Sequence, residues 1–326
     1  MEKYSQFRDR GTGIAPFLPV TTPLTAFSAV THTLLFLFRL PFFIAYVVSY
    51  FFLFHWLPLP VVARKVALWG LMAIPGIWWV DLQLDGVKRG TLADQPRDRF
   101  PHPGSVIAAN FTSPIDPVYL AAIFDPIFTV SYPGTRLVQN VGLLGAISRA
   151  LGAVRTEPPP MARLVTVEHL LHLYPSRVIA VFPECGTTNG RAILPFSPSI
   201  LTTPPDVHIF PVSLRYTPPD VTTPVPGQWL RFVWSLLSRP TTCVRVRVAE
   251  GQLNSSTALD NGASSALASS SSATSRAAEP ELSANERKVL DRIGEALARL
   301  SRVKRVGLTM KDKAEFSAAL RGKKRA

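Results

Sequence analysis

The chain has 326 residues, 47% hydrophobic and 10% aromatic, which is ample for a buried core and for surface that faces a membrane. Its two cysteines, Cys185 and Cys243, exclude a disulfide framework and point to a reducing compartment. The net charge of +13 is uneven: residues 284–326 hold 13 Lys or Arg against 5 Asp or Glu, whereas residues 1–283 hold 22 against 17. A basic end on a weakly charged body suggests an anionic partner. Neither basic-aromatic interleaving nor zinc-finger spacing is present, which favours a lipid membrane over nucleic acid.

Residues 1–30 read as a flexible leader, polar through residue 25, with Gly11-Thr12-Gly13 and several prolines. The apolar stretch that follows begins too late and runs too long for a cleaved signal peptide. Leu34 to Leu57 is almost wholly aliphatic and aromatic, and no charged residue lies between Arg39 and Arg64. That interval suffices for one membrane span of about 20 residues. Pro41 sits near its start, and Pro58 and Pro60 mark its end. A second apolar run, Val66 to Val80, is broken by Gly70, Pro75 and Gly76 and carries Trp78-Trp79. It is short for a span and predicts a re-entrant or interfacial segment, with a buried core helix as the alternative. Residues 31–80 are therefore expected to form a membrane anchor.

From residue 81 to 252 short apolar runs alternate with turn-rich breaks. Ser105–Ala109, Val178–Phe182 and Val207–Val212 are continuous runs of the kind found in a buried parallel sheet. Pro117–Phe124 and Met161–Leu173 predict helices between them, so this region is expected to be an α/β domain. Val244–Val248 alternates and predicts a half-exposed or edge strand. Trp229–Leu237 predicts a short aromatic helix, in the core or dipping into lipid. Residues 253–283 are Ser/Ala-rich and predict a low-complexity linker. Glu286–Leu300 restores helical period, with Val289, Ile293, Leu297 and Leu300 on one stripe, and residues 284–326 read as a basic helical tail. The chain closes Lys323-Lys324-Arg325-Ala326, which resembles the dilysine retrieval signal of endoplasmic-reticulum membrane proteins.

Two stretches carry chemistry: Asn110-Phe111-Thr112-Ser113-Pro114-Ile115-Asp116, and Phe182-Pro183-Glu184-Cys185-Gly186-Thr187-Thr188-Asn189-Gly190-Arg191. They resemble the first and third signature blocks of the glycerolipid acyltransferases, in particular a divergent branch of lysophosphatidic acid acyltransferase-like proteins that includes fungal members. The resemblance covers about residues 80 to 250. In that family the first block reads Asn-His-x4-Asp, with the His as general base and the Asp as its orienter. Asn110 and Asp116 match, while Phe111 stands at the position of the His and cannot take a proton. The third block, Phe-Pro-Glu-Gly-Thr followed by small polar residues and a basic one, is matched by Phe182, Pro183, Glu184, Thr187 and Arg191. Here Cys185 stands where the family has Gly, and Gly186 comes one place later.

The resemblance implies an acyltransferase sheet with flanking helices behind an N-terminal membrane-associated helical segment. It implies acyl transfer from acyl-CoA, as co-substrate and with no other cofactor or metal, to a lysophospholipid, first of all lysophosphatidic acid. Asp116 and the Phe111 position would then be catalytic, and Asn110, Arg155, Glu184, Cys185, Gly186, Thr187 and Arg191 would bind substrate. Arg155, in Leu151-Gly-Ala-Val-Arg155, occupies the place of the second block, whose Arg meets the acceptor phosphate. Ile209–Ser213 resembles the fourth block, which lines the acyl chain. His102, His169, His172 and His208 are the candidate replacements for the missing base, and Cys185 the candidate nucleophile. The location implied is the endoplasmic-reticulum membrane with the motifs facing the cytosol, the lipid-droplet surface being the alternative. A base-less acyltransferase fold that binds lipid or acyl-CoA without turning it over is the rival reading.

Overall fold

The computed structural model describes residues 2–325 except 24, 55, 56, 58, 59, 89, 93 and 257–281. The predicted linker of residues 253–283 therefore lies mostly outside the described residues. The body is a mixed α/β domain built on one sheet. Across it run β1 (Trp79–Leu84), β9 (Cys243–Val248), β8 (His208–Thr217), β2 (Val106–Ala109), β6 (Ile179–Val181), β3 (Ile127–Ser131), β4 (Val138–Val141) and β5 (Leu164–Val165), numbered in chain order. A short β10 (Gln252–Leu253) pairs with the start of β8, and β7 (Ala192–Ile193) pairs with β11 (Lys304–Arg305).

The three runs that read as buried strands are neighbours at the centre, β8, β2 and β6, all parallel, with Val106 in register with both Ile209 and Ile179. Apart from Val207 and His208, their side chains are buried on both faces, which is why the sequence is continuously apolar there rather than alternating. The run Val244–Val248 is interior rather than an edge: β9 lies between β1 and β8. Its alternation arises because Val244, Val246 and Val248 are buried on one face while Arg245 and Arg247 stand on the other.

Two hydrophobic layers sandwich the sheet. One joins Ile107, Phe111, Phe210, Val212 and Leu214 to helices α2 (Val61–Ala73), α3 (Ile115–Phe124), α4 (Leu143–Leu151) and α6 (Trp229–Ser238). The other joins Val106, Ala108, Ile179 and Val181 to α5 (Val167–Leu173) and α7 (Ala284–Ser301). Helix α5 is shorter than the Met161–Leu173 pattern predicts. Thr166 is its N-cap and accepts the His169 N–H at 3.1 Å, so the chain before it is free to enter β5.

The first apolar run forms α1 (Ala26–Ser49), opened by a Thr25/Ser28 capping box and continued by a π-turn at Tyr50–Phe54. Among the described residues, Phe27–Phe52 is the helix long and apolar enough to cross a membrane. It is docked on the body along one side. Phe36 meets Trp234 of α6 at 4.7 Å, and the Arg39 guanidinium donates to Pro75 O at 3.2 Å and Pro240 O at 3.0 Å. The second run does not form one interfacial segment. Its first part is α2, with Leu68, Leu71 and Met72 buried, and its last residues, Trp79 and Val80, begin β1. The turn between them is at Gly76, whose φ of +86° and 2.6 Å clearance to Pro240 O leave no room for a side chain.

Both ends of the chain are packed. In the stretch expected as a flexible leader, Phe7 and Phe17 are buried against Phe316 of α8 (Met310–Arg325), with ring centroids 5.2 and 6.3 Å away. The Asn189 amide also donates to Ala15 O and Leu18 O, each at 2.8 Å. Helix α7 carries a Ser283/Glu286 capping box and buries the predicted stripe Val289, Ile293, Leu297 and Leu300. Helix α8 buries Met310, Lys313 and Phe316 at helical spacing, so residues 284–325 belong to the body as well as carrying the charge.

Candidate active site

Both motif blocks follow the C-terminal ends of adjacent parallel strands, where ligands of α/β sheets bind. The first block follows β2. Asn110 extends the ladder with its side chain: Nδ2 donates to Leu214 O at 2.9 Å and Oδ1 accepts the Leu214 N–H at 2.7 Å. Its amide is thereby committed to holding β2 and β8 together. Asp116, in the first turn of α3, folds back on its own block. Oδ2 accepts the Thr112 N–H at 2.6 Å and the Ser113 N–H at 2.9 Å, while the Tyr216 hydroxyl donates to Oδ1. Burial pushes the Asp116 carboxyl up to about 6, against the pull of those hydrogen bonds. Burial and the neighbouring carboxylate hold Tyr216 well above the ordinary phenol value, so it is no base at neutral pH.

Phe111 does not point to solvent. It is 2% exposed, and its ring stacks on Phe182 with centroids 4.4 Å apart and planes inclined by 26°. Its backbone joins the blocks: the N–H donates to Glu184 Oε1 at 3.3 Å, and the carbonyl accepts the Thr188 N–H at 2.9 Å. Glu184 Oε2 accepts the Leu194 N–H at 3.1 Å, so this carboxyl straps the first block to the exit of the third. Burial pushes it up to about 8.

Cys185 holds a φ of +60°, the left-handed conformation that glycine adopts most easily. Burial pushes its thiol up to about 12, which removes it as a thiolate nucleophile. Gly186, one place later, lies under α8: a Cβ there would come 2.4 Å from Met310 Cε, the free end of that side chain. Thr187 is buried, donates to Thr223 O at 2.6 Å, and accepts Lys313 Nζ on its hydroxyl at 3.0 Å. Arg155 and Arg191 both lie exposed at the surface, and neither is brought into this buried cluster. None of the candidate replacement histidines joins the block. His169 and His172 are exposed on α5, and His102 stands against His208 and Phe210 at the opposite, N-terminal end of the parallel strands.

Three residues of the site lay outside the sequence reading. Tyr216 continues the inward alternation of Val212 and Leu214 along β8, a signal that was available. Lys313 shares the buried face of α8 with Met310 and Phe316, and burial pulls its ammonium down to about 7. Arg149, in the last turn of α4, donates to Arg155 O at 2.8 Å and Cys185 O at 3.1 Å, and its guanidinium carbon lies 5.4 Å from the Tyr132 ring centroid. Its Nη1 is buried without a protein partner. With Phe111, Thr129, Ser131, Phe182 and Cys185 it encloses a cavity of about 10 Å³, the room of one water.

Beside the first block opens a second cavity, of about 210 Å³, with an almost wholly apolar wall. Pro114, Ile115 and Val118 contribute one side, Ile147 and Leu151 another, and Phe43 and Val47 of α1 with Phe232 of α6 the rest.

The sheet is mixed and parallel at its centre, and it carries the two motif blocks joined at its strand ends with an apolar cavity beside them. A family model described as acyltransferase matches residues 93–215, from before β2 to near the end of β8. A Schizosaccharomyces pombe protein named "Putative lysophosphatidic acid:oleoyl-CoA acyltransferase" is 27% identical over 258 residues, 76% of this chain and 83% of that protein. The Saccharomyces cerevisiae lysophosphatidic acid:oleoyl-CoA acyltransferase 1 is 24% identical over 205 residues, 60% of this chain and 61% of that protein. Over residues 93–215 the chain is similar to acyltransferases, and both of these fungal relatives are named for acyl transfer from oleoyl-CoA to lysophosphatidic acid.

Proposed function

We propose that the protein transfers a long acyl chain from acyl-CoA to the free hydroxyl of a lysophospholipid, lysophosphatidic acid first, at a membrane surface. The observation that carries this reading is the apolar cavity beside Pro114 and Ile115, whose shape and lining suit an acyl chain delivered to the first block. The acceptor oxygen bonds the thioester carbonyl carbon, the C–S bond breaks, and CoA leaves as its thiol. Arg149, a cation with a buried unpartnered N–H at the first and third blocks, is suited to meet negative charge there, on the acceptor phosphate or on the developing oxyanion.

Among the described residues no base stands beside Asp116, whose oxygens are engaged by Thr112, Ser113 and Tyr216. A positioned base contributes about 10²- to 10⁴-fold, so the expected reaction is slow. The same geometry favours, as the second reading, a protein that holds acyl-CoA or lipid with little turnover.

Membrane attachment is supported by the apolar surface that α1 shares with α2 and α6, on which Leu34, Phe38, Phe42, Val62, Trp229 and Leu230 are all exposed. Phe43, Val47 and Trp229 also line the cavity, so its mouth borders that surface.

Val118→Trp tests the cavity. The added ring fills space the acyl chain needs, so kcat/KM for a long-chain acyl-CoA is expected to fall at least about tenfold, as loss of one or two methylene contacts would cause. Activity with a short-chain acyl-CoA stays within a few-fold. Equal loss for both chain lengths, or no loss for either, overturns the assignment.

A further inference from the structure

Helix α1 and the turn that continues it have two different sides. Along the chain the covered positions are 28/29, 32, 35/36, 39/40, 43, 46/47 and 50/51, a repeat of seven residues in two helical turns. The side chains that lipid would tolerate least, His32, Arg39, Tyr46 and Tyr50, all fall on that covered stripe. The opposite stripe is apolar, with Val30, Leu34, Leu37, Phe38, Phe42 and Val48 exposed. The hydroxyls that share it, Thr31, Thr33 and Ser49, donate back to carbonyls of the helix itself at 2.9, 2.9 and 2.8 Å. A polar group facing hydrocarbon has to be satisfied in this way.

At about 1.5 Å per residue, Phe27–Phe52 is about 39 Å long, against a hydrocarbon core of about 30 Å. Upright in a bilayer it would put its two ends on opposite sides. Both ends are tied to the same domain. Before it, the Thr22 N–H and hydroxyl donate to Asp220 at 3.1 and 2.7 Å, and the Asn189 amide holds Ala15 O and Leu18 O. After it, Arg64 pairs with Asp125 and the Lys65 ammonium donates to Ile123 O. The middle is tied as well: the Arg39 guanidinium donates to Pro75 O, Leu237 O, Arg239 O and Pro240 O, and the Tyr46 hydroxyl to Ala67 O at 2.9 Å. An upright α1 would carry those non-helical carbonyls, and the Arg239–Asp220 ion pair beside them, to the depth of the hydrocarbon core.

From these ties we infer that α1 does not cross the membrane: it lies in the plane of a single phospholipid leaflet, its exposed stripe among the acyl chains and its covered stripe on the body. Seating of this kind rests on the membrane attachment proposed above, and takes the place of the one crossing that the length of the apolar run predicts. The body stands where an interfacial helix otherwise presents a charged face to water. The covered stripe also supplies Phe43, Val47 and Phe51 to the wall of the apolar cavity. An acyl chain held there lies against the helix that floats in the leaflet.

The test adds the full-length protein to preformed phosphatidylcholine vesicles, which carry no net charge for the basic C-terminal segment to bind. A Cys243→Ser background leaves the buried Cys185 as the native thiol, and Gln6→Cys and Leu57→Cys place a reporter before and after α1, both at exposed positions. A membrane-impermeant maleimide is supplied outside the vesicles or sealed within them. Gln6→Cys should be labelled from outside, and neither reporter from within. Oil droplets coated with a phosphatidylcholine monolayer are the second surface, because they have no far leaflet for an upright helix to reach. The protein should bind them within a few-fold of its affinity for the vesicles. Phe38→Glu, on the exposed stripe, should weaken binding to both surfaces at least about tenfold, the loss of one large apolar side chain from lipid, and a thermal melt in detergent checks that it is folded. Labelling of either reporter from within, binding to vesicles but not to droplets, or unchanged binding of Phe38→Glu would each overturn the single-leaflet seat. Failure to bind either surface would overturn the membrane attachment itself.

Discussion

Glu184 makes a quantitative test of the buried polar cluster. Its carboxyl is 1% exposed and receives the N–H groups of Phe111 and Leu194, and burial raises it from an ordinary 4.5 to about 8. Between those two pH values the folded protein holds a proton that the unfolded chain has released. Stability from this group is therefore fully present below about 4.5, falls as pH rises, and is lowest above about 8. At about 1.36 kcal/mol per pH unit the interval is worth roughly 4 to 5 kcal/mol. Asp116, raised to about 6, adds a smaller fall of the same sign at lower pH. Lys313 has the opposite sign. Burial lowers it from 10.5 to about 7, so the unfolded chain holds the extra proton between those values and stability rises with pH through that window. The parent should therefore show a trough of thermal stability near pH 7 to 8. For a domain of this size the descent from pH 5 corresponds to roughly 10 °C. Glu184→Gln keeps the shape, flattens most of the acid-side descent, and costs about 1 to 3 kcal/mol at pH 5, where one backbone N–H now faces an amide NH₂. Lys313→Met flattens the alkaline rise instead. Melting temperatures in one detergent from pH 4.5 to 10 decide it. An acid limb of full depth in Glu184→Gln, or a parent whose stability climbs steadily from pH 5 to 8, would refute the reasoning.

Two further outcomes probe the third and first blocks. Cys185→Gly, at a φ of +60°, should raise stability by about 1 kcal/mol, whereas Gly186→Ala should change it by less than about 1 kcal/mol, because the added methyl meets Met310 Cε, the free end of a side chain that can turn aside; chemical denaturation of both variants checks the pair. Phe111→His alone should add little acyl-CoA consumption with lysophosphatidic acid, because Tyr216 already occupies Asp116 Oδ1. The double change Phe111→His/Tyr216→Phe frees that oxygen to orient the imidazole and should gain about 10²-fold or more, and equal rates for the single and double variants would remove Asp116 from any catalytic role.

The sequence by itself determined the class of the fold and the place of the site. Short continuous apolar runs bounded by turn residues fit strands buried on both faces, and three of them proved to be the adjacent parallel strands β8, β2 and β6. The blocks follow two of those strands, so their convergence was implicit in the spacing. The Val289–Ile293–Leu297–Leu300 stripe gave α7 its buried face in the same way. What periodicity cannot report is which distant groups share a buried space. Whether Asp116 has an imidazole or a phenol beside it depends on β8 passing next to β2. Whether Gly186 approaches a ligand or a helix depends on α8 returning from the far end of the chain to lie against it. The polar leader and the basic C-terminal segment read as solvated because charge and proline dominate their composition. Only the tertiary structure could show Phe7, Phe17 and Phe316 closing over the third block, since three apolar residues separated by some 300 positions form no local pattern.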